Sequence, residues 1–299
     1  MASRAHRATI AAVHSEANLL ALECFETTRL GDTTGLAHVP VERIVDEFPG
    51  YHAKVSTASQ PFAARAAWIE EQTPEGPRHE IWLRPEDSAA GKRFSMAHEL
   101  GHFMLKQHLG VIDRILTQAG GQMSREVLAE RISDEFASLL LLPAPMLKSQ
   151  FDVLRAERDG LLYLEQFAAR KGVSLTMLAK RLSQVFRPGP KGWFFVTADF
   201  DVARTQGVGF ALRVRTRVCP ARYYLPTNQR LTSLGLGCVA ARFEEMRPFS
   251  SEEWCAEALM QLRSVWRRVK VDCEGVSKKY ATRSGYSYLA LFGRIKSEI

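Results

Sequence analysis

"RFSMAHELGHFMLKQH", residues 93–108, decides how the rest of the chain is read. His98 and His102 stand four residues apart, so on a helix their rings leave the same face one turn apart. At that spacing both can reach one tetrahedral metal at roughly 2.0 to 2.1 Å. Glu99 follows the first histidine and is placed to take a proton from water at such a centre. Gly101 costs a helix about 1 kcal/mol relative to alanine, which implies that something packs or binds against that side. Two histidines alone do not hold a catalytic metal, and HExxH also arises in ordinary solvated helices, so everything turns on a third ligand.

Two sources compete. His108 completes a His-x5-His spacing after His102, as in metzincins, but Leu105 occupies the position where that pattern needs glycine. Glycine would let the chain leave the helix and fold the third histidine back. With "FMLKQ" the helix continues instead, and six residues at about 100° each put His108 about 240° around it from His102. The other source is "ERISD", Glu130 to Asp134, on the next helix. If Glu130 binds metal, Asp134 lies one turn away and can accept the far N–H of His98 or His102, as in gluzincins. Small Ser133 and Ala137 on the adjacent face would admit the first helix closely. Glu130 is the favoured ligand; the alternatives are His108 and an ordinary solvated acidic patch.

The 299 residues are 46% hydrophobic, enough for one large domain or two ordinary ones with a filled core. Forty Lys and Arg against 33 Asp and Glu give a formal charge of +7, without the block clustering of a nucleic-acid arm. The five cysteines are scattered with no CxxC pair, so they read as buried or free thiols in a reducing compartment. The start of the chain lacks an apolar run of signal-peptide length, and "SLLLLPAPML" is short and broken by Pro143 and Pro145. The expectation is a cytoplasmic protein with no membrane partner.

Along the chain, residues 7–28 have helical spacing, and "VPVERIVDEF" (39–48) reads as a short helix. "AAWIEE" (66–71) and "HEIWLR" (79–84) read as a hairpin around "QTPEGPR", with "EIWLR" as the edge strand beside the metal helix, where an extended substrate would lie. A helix follows from Ser124, its N-cap, to Leu142, closed by Pro143. Residues 161–186 read as a helical pair with a turn at Gly172, and "RPGPKG" (187–192) as a linker. Beyond it come strand-like stretches, an amphipathic "EEWCAEALMQL", and "RSVWRRVKV" (263–271), where valines alternate with charges as in a strand with one solvated face.

"RFSMAHELGHFML", "ERISDEFASLLLLP" and "FAARKGVSLTMLAKRL", in that order, resemble the three signatures of the ImmA/IrrE metallopeptidases, and "VPVERIVDEF" resembles their N-terminal segment. The resemblance spans roughly residues 10–186. It implies an α+β fold: a gluzincin-like zinc peptidase domain over 1–150, built of helices with a small sheet, and an HTH-like helical segment over 151–187 packed on it. Residues 192–299, beyond the resemblance, read from their own strand-like and amphipathic texture as a C-terminal α/β domain after a boundary near 188, GAF-like only by analogy of position. The resemblance also implies a Zn2+ endopeptidase that cleaves a helix-turn-helix repressor and so derepresses mobile-element or stress genes. Carried over by position, His98, His102 and Glu130 are the metal ligands, Glu99 is catalytic, and Asp134 stands behind the ligands. Lys106 stands where a histidine is frequent and Ile132 where an acidic residue is common; neither touches that set.

The rival readings are a DNA-binding regulator and a non-catalytic protein that sequesters a repressor. For the first, Ala168, Gly172 and Leu178 have helix-turn-helix spacing, but Leu175 and Met177 occupy the opening of the would-be recognition helix, which disfavours nucleic acid as partner. Glu99 argues against the second, since a structural metal needs no base.

Overall fold

The computed structural model describes residues 4–57, 66–118, 123–148 and 160–185, and beyond them the strands of 193–298. The chain divides into two compact units, Met1–Ser149 with Ala168–Ser174, and Gln150–Phe167 with Leu175–Ile299.

In the first unit α1 (Arg4–Thr27) buries Val13, Ala17, Leu20, Ala21 and Cys24, the single stripe that a 3.6-residue period allows. It packs on α5 (Arg125–Leu141), which is buried along most of its length. Burial pushes the Cys24 thiol up to about 12, so it is a packing residue and not a reactive one. Helix α2 (Val41–Glu47) follows Pro40 and buries Val41, Ile44 and Val45.

A three-stranded sheet comes next, from β1 (Lys54–Thr57), β2 (Ala66–Thr73) and β3 (Gly76–Leu83). The hairpin is tighter than its turn-rich sequence suggests. Thr73 pairs with Gly76, so Pro74 and Glu75 alone form the loop. The strand order is β1-β3-β2, with β1 parallel to β3, and this corrects the edge assignment. The "EIWLR" strand is central, and β2 is the edge on the hairpin side. The unforeseen element is the four-residue β1, too short to carry a periodic signal. On β3 the alternating His79, Ile81 and Leu83 are buried.

Helix α3 (Ala89–Gln107) carries the histidines, and α4 (Val111–Gln118), α5 and α6 (Ala144–Lys148) complete the run. Arg93 of α3 is buried; it donates from Nη1 to both Glu42 oxygens at 2.6 and 2.7 Å and from Nη2 to the Val39 carbonyl. Gly172, at φ +64°, closes over it: a Cβ there would lie 2.8 Å from Arg93 Nε.

Gly172 ends the turn between α7 (Gly160–Lys171) and α8 (Leu175–Val185), the helical pair expected from sequence. Leu175 and Met177 are buried at the opening of α8, so nothing supports a DNA-reading helix there. The linker expected at 187–192 lies outside the described residues.

The described residues of 193–298 form one seven-stranded antiparallel sheet, in the order β6-β8-β9-β10-β4-β5-β7. Its strands are β4 (Trp193–Phe200), β5 (Leu212–Val218), β6 (Tyr223–Tyr224), β7 (Arg230–Leu231), β8 (Cys255–Leu262), β9 (Val265–Lys279) and β10 (Ser287–Glu298). The amphipathic 255–262 stretch is a strand, since Ala256, Ala258, Met260 and Leu262 also satisfy a period of two. No helix occurs among the described residues here, so the α/β expectation is met only by its strands and the GAF-like analogy gains no support. The valine alternation of 265–271 does lie in a strand, β9, paired on both sides.

Candidate metal centre

Both helices of the site are capped from their own sequence. Ser88 Oγ accepts from the Gly91 N–H at the start of α3, and Ser124 Oγ accepts from the Val127 N–H at the start of α5. The two helices meet at Gly101. A Cβ on Gly101 would lie 2.9 Å from the Phe136 ring and 3.1 Å from the Ser133 Cα, closer than carbon atoms pack. The glycine inside HELGH is therefore the contact that lets α5 approach, and Ser133 supplies the small surface facing it.

Gly101→Ala is expected to destabilise the protein by about 1–2 kcal/mol, overpacking at the helix crossing outweighing the better helix propensity of alanine. Thermal unfolding measures it; an unchanged or raised midpoint would show that the helices yield freely there.

With the helices this close, three side chains converge. His98 Nε2 and His102 Nε2 are 3.0 Å apart; Glu130 Oε2 lies 3.4 Å from the first and Oε1 3.3 Å from the second. Four ligands about 2.0–2.1 Å from a tetrahedral centre lie about 3.3 Å from one another, so these spacings fit the edges of one zinc-sized coordination shell. Among the described residues, His98, His102 and Glu130 are the group that could hold a metal ion. Asp134, one turn beyond Glu130, accepts from His98 Nδ1 at 3.0 Å. That bond places the proton of His98 on Nδ1 and leaves its Nε2 lone pair facing the cluster.

His108 is elsewhere. It caps the C-terminus of α3 and its Nε2 pairs with Glu23 of α1 at 2.8 Å. Leu105, the residue in place of the metzincin glycine, is buried in the helix.

Glu99 lies on the sheet side of α3. Burial raises its carboxyl above the usual range and the Glu130 charge adds to this, against the pull of His98 and the backbone N–H of Trp68 on β2. For His98, burial disfavours the imidazolium, but the Asp134 hydrogen bond and charge, with Glu99 and Glu130, together hold it above the ordinary histidine value. Burial and the neighbouring His98 push His102 down. A mostly buried carboxyl beside two unlike histidines is the electrostatic texture of a reactive centre.

Sequence reasoning does not single out Trp68, Glu70 or Tyr51. Lys106 of α3 donates to Glu70 Oε2 at 2.6 Å and stands over the Trp68 ring, tying the β2 edge to the end of α3. A period-two strand carries no signal of which helix will lie beside it.

Residues 52–183 match the family model of the M78 peptidases, the IrrE N-terminal-like domain. Residues 52–183 form an M78-like domain. The match covers the HELGH helix, the ERISD helix and the helical pair as far as residue 183, so the family resemblance drawn from those three stretches holds, and with it a metallopeptidase-like role. No curated protein sequence matches the chain. Among solved structures it is similar in fold to a Mycobacterium tuberculosis transcriptional regulator, at a TM-score of 0.56 and 18% identity, over 93% of this chain and 75% of that one. No helix among the described residues is long and apolar enough to cross a membrane.

Proposed function

We propose that the M78 domain is a zinc-dependent endopeptidase, held ready by His98, His102 and Glu130, and that its substrate is a helix-turn-helix repressor. The observation that carries the first half is the convergence of two imidazole nitrogens and a carboxylate, from separate helices, at tetrahedral-edge spacing. When bound, Zn2+ supplies Lewis acidity, polarising an amide carbonyl and acidifying water. Glu99 takes the proton of the attacking water on its carboxylate and returns it to the leaving nitrogen. Asp134 keeps His98 in the ligating tautomer.

An extended segment has a place to lie. In a hairpin closed by a two-residue loop the closing pair is hydrogen-bonded, so alternate residues of β2, among them Trp68 and Glu70, turn their backbone groups away from β3. Among the described residues no strand covers that edge, which runs beside Glu99; the Trp68 N–H faces the Glu99 carboxylate, so main-chain pairing through Glu70 would present a scissile bond to it. The repressor substrate is supported by the family resemblance and by the fold likeness to a transcriptional regulator.

Incubating the zinc-loaded chain with the helix-turn-helix repressor encoded nearest its gene tests the whole reading. Discrete fragments that a chelator suppresses are the expected result. A stable complex with no cleavage would instead make the protein a sequestering antagonist, and a salt-sensitive shift of duplex DNA would make it a DNA-binding regulator.

A further inference from the structure

Tyr51 follows α2 in a reversal that the backbone holds tightly. Its N–H and that of His52 both donate to the Phe48 carbonyl, at 3.0 and 3.1 Å, and the Ala53 N–H returns to Val45. His52 sits at φ +39°, a conformation costly for any residue with a Cβ. The turn drives the Tyr51 ring inward until 1% of the residue is exposed. Its centroid lies 4.5 Å from that of Phe103, 5.3 Å from His79 and 5.8 Å from Trp68.

The packing explains the ring and leaves the hydroxyl unexplained. Among the described residues the Tyr51 hydroxyl has no hydrogen-bond partner, although it is out of reach of solvent. A buried donor left unmade costs the fold, and phenylalanine would fill the same space without that cost. Two of the three ring neighbours, Phe103 and Trp68, lead to Glu99. Phe103 lies one turn beyond Glu99 on the same helix, and Trp68 offers the backbone N–H that acts on the Glu99 carboxylate. Burial pushes the pKa of the phenol up and the Glu99 charge adds to this, so the hydroxyl stays protonated and a donor.

We propose that Tyr51 is a positioning residue for Glu99: its hydroxyl donates to the Glu99 carboxylate as that side chain turns between the substrate side and the core. Glu99 then has two anchor points, the Trp68 amide at the sheet edge and the Tyr51 phenol behind it, and the second fixes which carboxylate oxygen faces the reacting water. This rests on the reading of Glu99 as the base, and the contact itself can be tested without turnover.

The full chain, with 13Cζ-labelled tyrosine, is examined by NMR with and without Zn2+, the Tyr51 resonance being assigned from Tyr51→Phe. Glu99→Ala is expected to move that resonance, whereas Glu86→Ala, which removes an exposed carboxylate paired with Arg84, is expected to leave it in place. Tyr51→Phe is expected to unfold at the same or a slightly higher temperature, because an unsatisfied donor is gone. Its kcat on the repressor is expected to fall about ten- to a hundredfold with little change in KM, as when a partner orienting a reactive group is lost. A Tyr51 resonance indifferent to Glu99→Ala, or undiminished kcat in Tyr51→Phe, would overturn the assignment. If zinc-loaded wild type is inert, the peptidase reading fails, and the NMR result alone decides the Tyr51–Glu99 contact.

Discussion

Glu99→Gln is expected to bind zinc as the natural sequence does and to cleave its substrate about 10²- to 10⁴-fold more slowly, the range that a positioned general base contributes. Glutamine keeps the size and hydrogen-bonding reach of the side chain but cannot take up a proton at neutral pH. The cluster that could hold the metal, His98, His102 and Glu130, does not include Glu99, so metal content should be undisturbed. Zinc stoichiometry by atomic emission, beside the rate of repressor cleavage, separates the two roles. Equal turnover by the variant would mean that water is activated by some other group. Lost zinc would mean that Glu99 supports the ligand shell directly.

Glu130→Ala should weaken zinc binding by more than about a hundredfold, since even the loss of a residue behind a ligand costs about 10- to 100-fold. Glu130 is well exposed and, among the described residues, its oxygens lie against the two histidines, so its removal should spare the fold. His108→Ala is the informative partner experiment. It breaks a half-exposed ion pair with Glu23 and should change stability by less than about 1 kcal/mol and metal affinity not at all. Competition against a chromogenic chelator reads both variants. The opposite pattern, zinc lost with His108 and kept without Glu130, would restore the metzincin-like ligand set and refute the geometry of the α3–α5 pair.

Much of the site is legible in the amino-acid sequence. The His98–His102 spacing, the Ser124 cap and the period of 7–28 and 161–186 are properties of a few neighbouring residues, and a helix expresses them wherever it is placed. Leu105 narrows the choice between Glu130 and His108, because a leucine there keeps α3 helical through Gln107 and turns His108 away. The misreading of the sheet edge has a local cause. "EIWLR" reads as an edge because β1 leaves no periodic trace, and the amphipathic 255–262 stretch is settled as a strand only where β9 pairs with it.

Short-range signals in the chain therefore specify the HExxH helix, the place of its glutamate and the identity of the acidic helix that answers it, since periodicity, caps and four-residue spacing act within one or two turns. Only the folded arrangement establishes that Gly101 seats Ser133 and Phe136, that Asp134 holds His98, that β2 is the edge beside Glu99, and that Tyr51 is buried with an unanswered hydroxyl. Those facts join residues tens of positions apart, and which of them meet is set by how volumes close-pack and where polar groups lose water, neither of which any local stretch of chain encodes.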